Sequence, residues 1–203
     1  MASPEEIVTF LEAAPPPGVS PWVRGVPDDG AIEVVPANPR WPDDYEQLAA
    51  LVRGALGDKA LAVEHVGSTA VPGLPAKPVI DVDLTIADPA DEGAWLPQLG
   101  NAGFVLTVRE PWWYEHRCLR FASPRCNLHV FGPACAETAR HVIFRDWLRE
   151  HPEDRELYRD TKLAAAAGAN ARGEHVMQYN ARKQQVLREI YARAFAAAGL
   201  LER

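Results

Sequence analysis

Asp81 and Asp83 stand two apart in the run PVIDVDLTIA, residues 78–87, and a Gly67-Ser68 pair precedes them across a spacer of twelve residues in EHVGSTAVPGLPAKPVIDVDL. The run is rich in Val and Ile and bounded by turn residues, which predicts a central β-strand. Residues two apart on a strand share a face, so the carboxylates lie side by side while Ile80, Val82 and Leu84 point the other way. Adjacent anions repel. A hard divalent cation, held by one or two carboxylates and substrate phosphates, would neutralise them. Gly67 allows close backbone approach at the end of the preceding strand, ALAVEHV, and Ser68 or Thr69 would cap a following helix and leave N–H groups for a phosphate. Taken singly, the aspartates suit a half-exposed strand and Gly-Ser-Thr an ordinary cap. Together they describe a phosphate cradle facing a carboxylate pair. The pattern G-x-x-x-x-G-K-[ST] is absent, so the P-loop mode is unsupported.

Further side chains belong to the same chemistry by type and spacing. Lys77 precedes the aspartate strand, and Arg117, Arg120 and Arg125 cluster near His129 on what read as paired strands. Such cations either hold a triphosphate or an acidic acceptor, or are solvated surface charges. Tyr179 and Lys183 fall at i, i+4 on one helix face, so both reach one cleft or Tyr179 simply packs. His65 precedes the Gly-Ser turn and either orients it or is a structural residue at a strand end. His116, Cys118, Cys126, His129 and Cys135 are zinc ligands by type, but H-x-C and C-x-x-H are not a paired knuckle, and strand alternation scatters them over both faces. The three cysteines are expected to be free thiols acting as small buried hydrophobes. Trp112, Trp113 and Tyr114 pack at a strand start or stack on a base.

The elements that must position these residues alternate in period. WPDDYEQLAALVRGAL repeats apolar residues at helical spacing, DEGAWLPQLGNAG suggests a short helix closed by Gly103 despite Pro97, and FVLTV, WYEHRCLRFA and NLHVFG give three strands. Their short connections imply an antiparallel succession. From Glu137 onward the pattern turns helical, with the charges of FRDWLREHPEDRELYRDTK on an exterior and LAAAAGANARG as a low-complexity connector. The expectation is an α+β fold: a mixed sheet flanked by helices with a C-terminal helical segment, residues 31–203. It is preceded by a proline-rich extension, residues 1–30, tied down mainly by Trp22.

Bulk properties narrow the partners. The 203 residues carry a formal net charge of -7, which argues against a broad basic face for duplex nucleic acid. MASPEEIVTF places acids where a secretion signal carries lysines, and no eighteen apolar residues run together; a cytoplasmic protein without a membrane span is expected.

The Gly-Ser to Asp-x-Asp spacing resembles the signature of the nucleotidyltransferase superfamily, the fold shared with polymerase β. The wording EHVGSTAVPGLPAKPVIDVDL, together with NPRWPDDYEQL, NLHVF, FRDWLREHPEDRELYRDTK and a last helix with Tyr179 and Lys183, is similar to its GrpB family over about residues 32–190. Some members of that family are fused to dephospho-CoA kinase. The resemblance implies Gly67, Ser68 and Thr69 beside nucleotide phosphates, Asp81 and Asp83 as ligands of Mg²⁺ or Mn²⁺, and transfer of a nucleotidyl group from a nucleoside triphosphate to an acceptor. Lys77, Arg117, Arg120, Tyr179 and Lys183 are the further substrate-binding candidates. Active superfamily members add a third carboxylate on a later strand; here that strand, CNLHVF, offers Asn127 and His129. His129 is therefore the candidate third ligand or catalytic base, and Glu115, one strand earlier, a substitute acid. The alternative is a catalytically inactive nucleotide- or ligand-binding accessory module linked to coenzyme A metabolism.

Overall fold

Five strands form one mixed sheet, ordered β1-β2-β5-β4-β3, in a computed structural model that describes residues 1–11, 13–26 and 30–201. The strands are β1 (Ala62–Val66), β2 (Ile80–Thr85), β3 (Val105–Glu110), β4 (His116–Phe121) and β5 (Cys126–Phe131). As short connections require, β3, β4 and β5 are successively antiparallel. The chain then returns so that β5 lies parallel to β2, with Asp81 opposite Asn127 and Asp83 opposite His129. On the other side β2 pairs antiparallel with β1, which sets Val66 opposite Asp81. Side-chain alternation therefore gathers both aspartates, Asn127 and His129 on one face of two adjacent strands.

The opposite face is the dry one. Helices α2 (Trp41–Leu56) and α3 (Glu92–Asn101) cover it, and Leu48, Val52, Trp95 and Leu99 pack there against Ile80, Val82, Leu84, Leu128 and Val130. Pro97 lies inside α3 on an exposed position, while Trp95 and Leu99 on the buried side hold the turn in place. Gly103, at φ +98, ends the helix as its sequence position suggests.

Helices α4 (Ala136–Glu150), α5 (Pro152–Ala171) and α6 (Val176–Ala197) face the aspartate side and share a second core containing Phe144, Leu148, Tyr158 and Tyr191. Much of the segment expected as a connector, LAAAAGANARG, is instead the last part of α5. Ala is the strongest helix former, and Ala165, Ala166 and Ala169 are buried in a small cluster with Ile32 and Tyr179. Low complexity here marks close packing, not irregular chain.

The N-terminal segment is held at two places rather than at Trp22 alone. Trp22 makes a β-bridge with Val108, and helix α1 (Pro4–Val8), capped by Ser3 and Glu6 in a reciprocal box, docks on α4. There Arg140 Nη1 donates to the carbonyl oxygens of Glu6, Ile7 and Thr9 at 2.9, 2.9 and 3.2 Å. Cys118, Cys126 and Cys135 are buried free thiols. No helix among the described residues is long and apolar enough to cross a membrane.

Candidate functional site

Between the aspartate face and the C-terminal helices lies a cleft of about 360 Å³, lined by Gly67, Ser68, Asp81, His129, Lys162 and Lys183 among others. Its floor depends on Gly67. This residue has φ +68, and a Cβ there would fall 2.5 Å from Asp81 Oδ2 and 3.0 Å from Asp81 Cβ. Glycine is thus demanded twice, by backbone conformation and by space.

After Gly67 the chain makes a single 3-10 turn, Ser68–Ala70, without a side-chain cap; the expected capped helix is not formed. Thr69 turns inward, its Oγ1 3.0 Å from His65 Nε2, and the Tyr45 ring stacks on His65 at 4.7 Å. Burial pushes the His65 imidazole down to about 4, against the pull of Asp81, so it stays neutral and orients the turn. Helix α4 clasps the same turn from outside. Arg149 donates to the Ala70 carbonyl at 3.1 and 2.9 Å, and Arg145 to the His65 carbonyl at 2.9 Å. Both arginines lie in the stretch read as an exterior helix face.

The two aspartates differ in environment. Asp81 is partly open to the cleft, accepts a hydrogen bond from Asn127 Nδ2 at 2.9 Å, and lies 3.9 Å from His129 Nε2. Burial raises its pKa, but His129, Asn127 and Lys77 together hold the carboxyl below the usual range. Asp83 is only 2% exposed. His141 Nδ1 sits 2.8 Å from its Oδ2, and among the described residues its Oδ1 has no hydrogen-bond partner. His141 Nε2 is also 3.4 Å from Glu137 Oε1, while Arg140 Nε donates to Glu137 Oε2 at 2.7 Å. Burial opposes charge on His141, yet Asp83 and Glu137 push it up to about 10; burial likewise opposes charge on Glu137, which His141 and Arg140 bring down to about 2.

His129 heads a buried chain. Its Nδ1 is 3.0 Å from His116 Nε2, whose Nδ1 is 2.8 Å from Glu110 Oε2. Glu110 accepts, so His116 donates from Nδ1 and its Nε2 is left to accept from His129. Burial holds His116 down to about 4. Burial lowers His129 too, but Cys118 and Asp81 outweigh it and raise the group well above its ordinary value.

The expected trio Asp81, Asp83 and His129 is therefore not gathered as a ready set of three donors. Asp83 is turned to His141 and His129 to Asp81, and among the described residues no group of three or more His, Cys, Asp or Glu side chains is arranged to hold a metal. Glu115 does not replace the missing acid, because its exposed carboxylate is engaged by Arg117 at 3.3 Å.

Cations face Asp81 from the helices. Tyr179 and Lys183 both line the cleft, with Lys183 Nζ 4.1 Å from the Tyr179 ring centroid. Beside them stands a pair that sequence reasoning missed: Lys162, donating to the Pro75 carbonyl, with its Nζ 5.3 Å from the ring of Tyr158. The signal was present, since YRDTK and YNARK are the same Tyr-x-x-x-Lys pattern. Burial, then Lys183, pushes Lys162 down to about 7; burial, then Lys77, pushes Lys183 down to about 8. Both shifts mark a place with too much positive charge and too little water, which an anion would relieve. Lys77 lines this cleft and an adjoining cavity that contains Arg120 and Arg125. Arg117 is on the wrong side: paired with Val130 on the dry face, it donates to Glu92 of α3 at 2.7 Å. Trp113 lines the cleft and meets His116 edge-on at 5.2 Å, whereas the Tyr114 hydroxyl accepts from Arg140 Nη2 at 3.0 Å.

Comparisons with known proteins converge on one group. A family model described as GrpB protein matches residues 31–193. A UPF0157 protein of Halalkalibacterium halodurans is 42% identical over 170 residues, 84% of this chain and 86% of its own. A dephospho-CoA kinase of Mycobacterium tuberculosis is 31% identical over 189 residues, which span 80% of this chain and 46% of the kinase. The crystal structure of conserved protein GrpB from Enterococcus faecalis has a TM-score of 0.70 at 26% identity, covering 82% of this chain and 99% of that one.

Proposed function

This chain belongs to the GrpB family, and from the geometry of its cleft we propose that it binds a nucleoside triphosphate and transfers the nucleotidyl group to a small acceptor. One observation carries this reading: Asp81, beside the Gly67–Ser68 turn, shares the cleft with the buried lysines Lys162 and Lys183. Buried ammonium groups with depressed pKa values are costly unless an anion joins them, and a polyphosphate supplies three or four negative charges in one molecule.

In the reaction, an acceptor hydroxyl oxygen attacks the α-phosphorus and forms a new O–P bond. The bond from that phosphorus to the α,β-bridging oxygen breaks, pyrophosphate leaves with the electron pair, and the hydroxyl proton passes to solvent. Lys162, Lys183 and Lys77 would neutralise the leaving pyrophosphate, and Ser68 would border the α-phosphate. Two features of the structure suit a divalent ion: Asp81 and Asp83 share a face, and the buried Asp83 Oδ1 lacks a partner among the described residues. Mg²⁺ or Mn²⁺ would add positive charge at the phosphate oxygens when bound, held by these two carboxylates with substrate oxygens completing its shell. His129, raised in pKa beside Asp81, would lie as a cation near the phosphates.

The test supplies α-labelled triphosphates, Mg²⁺ or Mn²⁺ and a deproteinised cell extract, and tracks label into products other than the nucleotide. Asp81→Asn is expected to reduce transfer on the order of a hundredfold or more; equal transfer by the variant would refute the assignment.

A second reading rests on a different observation. Asp83 is engaged by His141, and among the described residues no third carboxylate joins the two aspartates in a metal-holding group, which suits a module that holds its ligand without turning it over. The match to less than half of a dephospho-CoA kinase makes an accessory role beside coenzyme A metabolism its natural setting. Full nucleotide occupancy with no product in the assay above would favour it.

A further inference from the structure

The cleft does not end at Tyr158. A second cavity, of about 420 Å³, shares Gly67, Ser68, His141, Tyr158 and Asn180 with the first. It continues between α4 and α6 to Phe144, Leu148, Leu187 and Tyr191, where Phe10 of the N-terminal segment joins its wall. The two chambers therefore meet at the Gly67–Ser68 turn, where the α-phosphate of the proposed nucleotide would lie.

Their linings are chemically opposite. The first holds three lysines. The second is walled by aromatic rings: Phe144 meets Tyr158 edge-on at 5.3 Å and Tyr191 at 4.6 Å, and Phe10 meets Tyr191 at 5.2 Å. Its charged members are Glu137, His141 and Arg188, and the first two are already engaged, Glu137 with His141 and Arg140 and His141 with Asp83. A phosphate-bearing ligand would find no cation cluster here to offset its desolvation. An apolar ring would displace water from ring faces and leucine side chains, at no comparable penalty. A volume of this size accommodates a single small molecule and excludes a folded partner or a polymer chain.

We propose that this second chamber holds the acceptor, a small molecule without phosphate groups whose aromatic or alicyclic body packs on Phe144, Leu187 and Tyr191. Its nucleophilic hydroxyl is directed at the junction beside Ser68. The assignment of the occupant as acceptor rests on the nucleotidyl-transfer reading; the ligand class rests on the chamber wall alone.

The experiment titrates the isotopically labelled full chain by NMR with benzyl alcohol and, separately, with glucose, a hydroxyl compound lacking an apolar ring face of that kind. Benzyl alcohol should shift amides around Phe144, Leu187 and Tyr191, and glucose should leave them in place. Leu187→Trp, which fills the chamber, should weaken benzyl alcohol binding at least tenfold and leave the affinity for MgATP within twofold. Gln184→Trp, an exposed position on the chamber rim, provides the same blockade should the first variant fail to fold. Equal shifts from both alcohols, or benzyl alcohol binding unchanged in the blocked variants, would overturn the proposal. Should benzyl alcohol bind as expected while MgATP does not bind at all, the ligand class stands and the nucleotidyl-transfer reading falls. MgATP binding with no aromatic preference sinks the chamber's assignment alone.

Discussion

Gly67 is the residue on which the floor of the cleft depends most directly. Gly67→Ala meets both a left-handed backbone and a carboxylate 2.5 Å from the new methyl, so either Asp81 moves or the turn does. The expected loss is about 1–3 kcal/mol of stability, with nucleotide affinity falling by more than the stability change alone explains. Urea unfolding and calorimetric titration on the same preparations check this. At this scale the sequence was informative where a period fixes the geometry. Two-residue spacing placed Asp81 and Asp83 on one face, and four-residue spacing placed Tyr179 and Lys183 together. It failed where side-chain direction on a strand depends on the pairing: Arg117, next to His116, points to the dry face and pairs with Glu92. Lys162 is not legible from its own helix, because a lysine among charged residues is ordinarily solvated, and only the tertiary fold, which brings the Pro75 carbonyl to its ammonium, buries it.

Helix α4 serves the site as an element rather than through one side chain. Its His141, kept charged with the help of Glu137 four residues earlier, neutralises Asp83, and its Arg145 and Arg149 fasten the Gly67 turn. Removing the imidazole leaves a buried carboxylate uncompensated, a change that costs about 3–5 kcal/mol in such settings. His141→Ala is expected to unfold at markedly lower urea concentration, and Asp83→Asn added to it should restore part of the loss. Equal stability of His141→Ala and the parent chain would mean that Asp83 is neutralised in another way. Strand and helix identities were largely legible from period and turn residues, including the antiparallel β3-β4-β5 succession. The end of α5 was not, since its alanine run carries no amphipathic signal and declares itself only by packing on Tyr179.

For the molecule as a whole, the buried charges pull stability in opposite directions with pH. His141 has its folded pKa raised to about 10 from an ordinary 6.5, so its contribution is complete below pH 6.5 and fades as pH rises toward 10. Lys162 is lowered to about 7 from 10.5. Its unfolded form holds the proton more firmly, so the native state gains stability as pH climbs from 7 to 10.5. Lys183, lowered to about 8, acts in the same sense, so without ligand the lysines offset the His141 trend from pH 7 and outweigh it between pH 8 and 10. The Lys162→Met, Lys183→Met double variant removes both gains and should expose a loss of stability across that interval, approaching about 1.4 kcal/mol per pH unit at most, visible in urea midpoints at pH 7 and pH 10. No local pattern revealed that three helices distant in sequence from the Gly-Ser turn would close over the aspartate face, because that arrangement is set by the burial of Phe144, Tyr158 and Tyr191 against one another. Two chambers joined at that turn are a consequence of the same closure. The most direct measurement is a calorimetric titration of MgATP into the native chain and into the Lys162→Met, Lys183→Met double variant. The native chain is expected to show one site, with the affinity weakened by a factor of about 100 or more in the variant, the loss expected for two charge-assisted contacts. Absence of binding to the native chain, or equal affinity in both proteins, would contradict it.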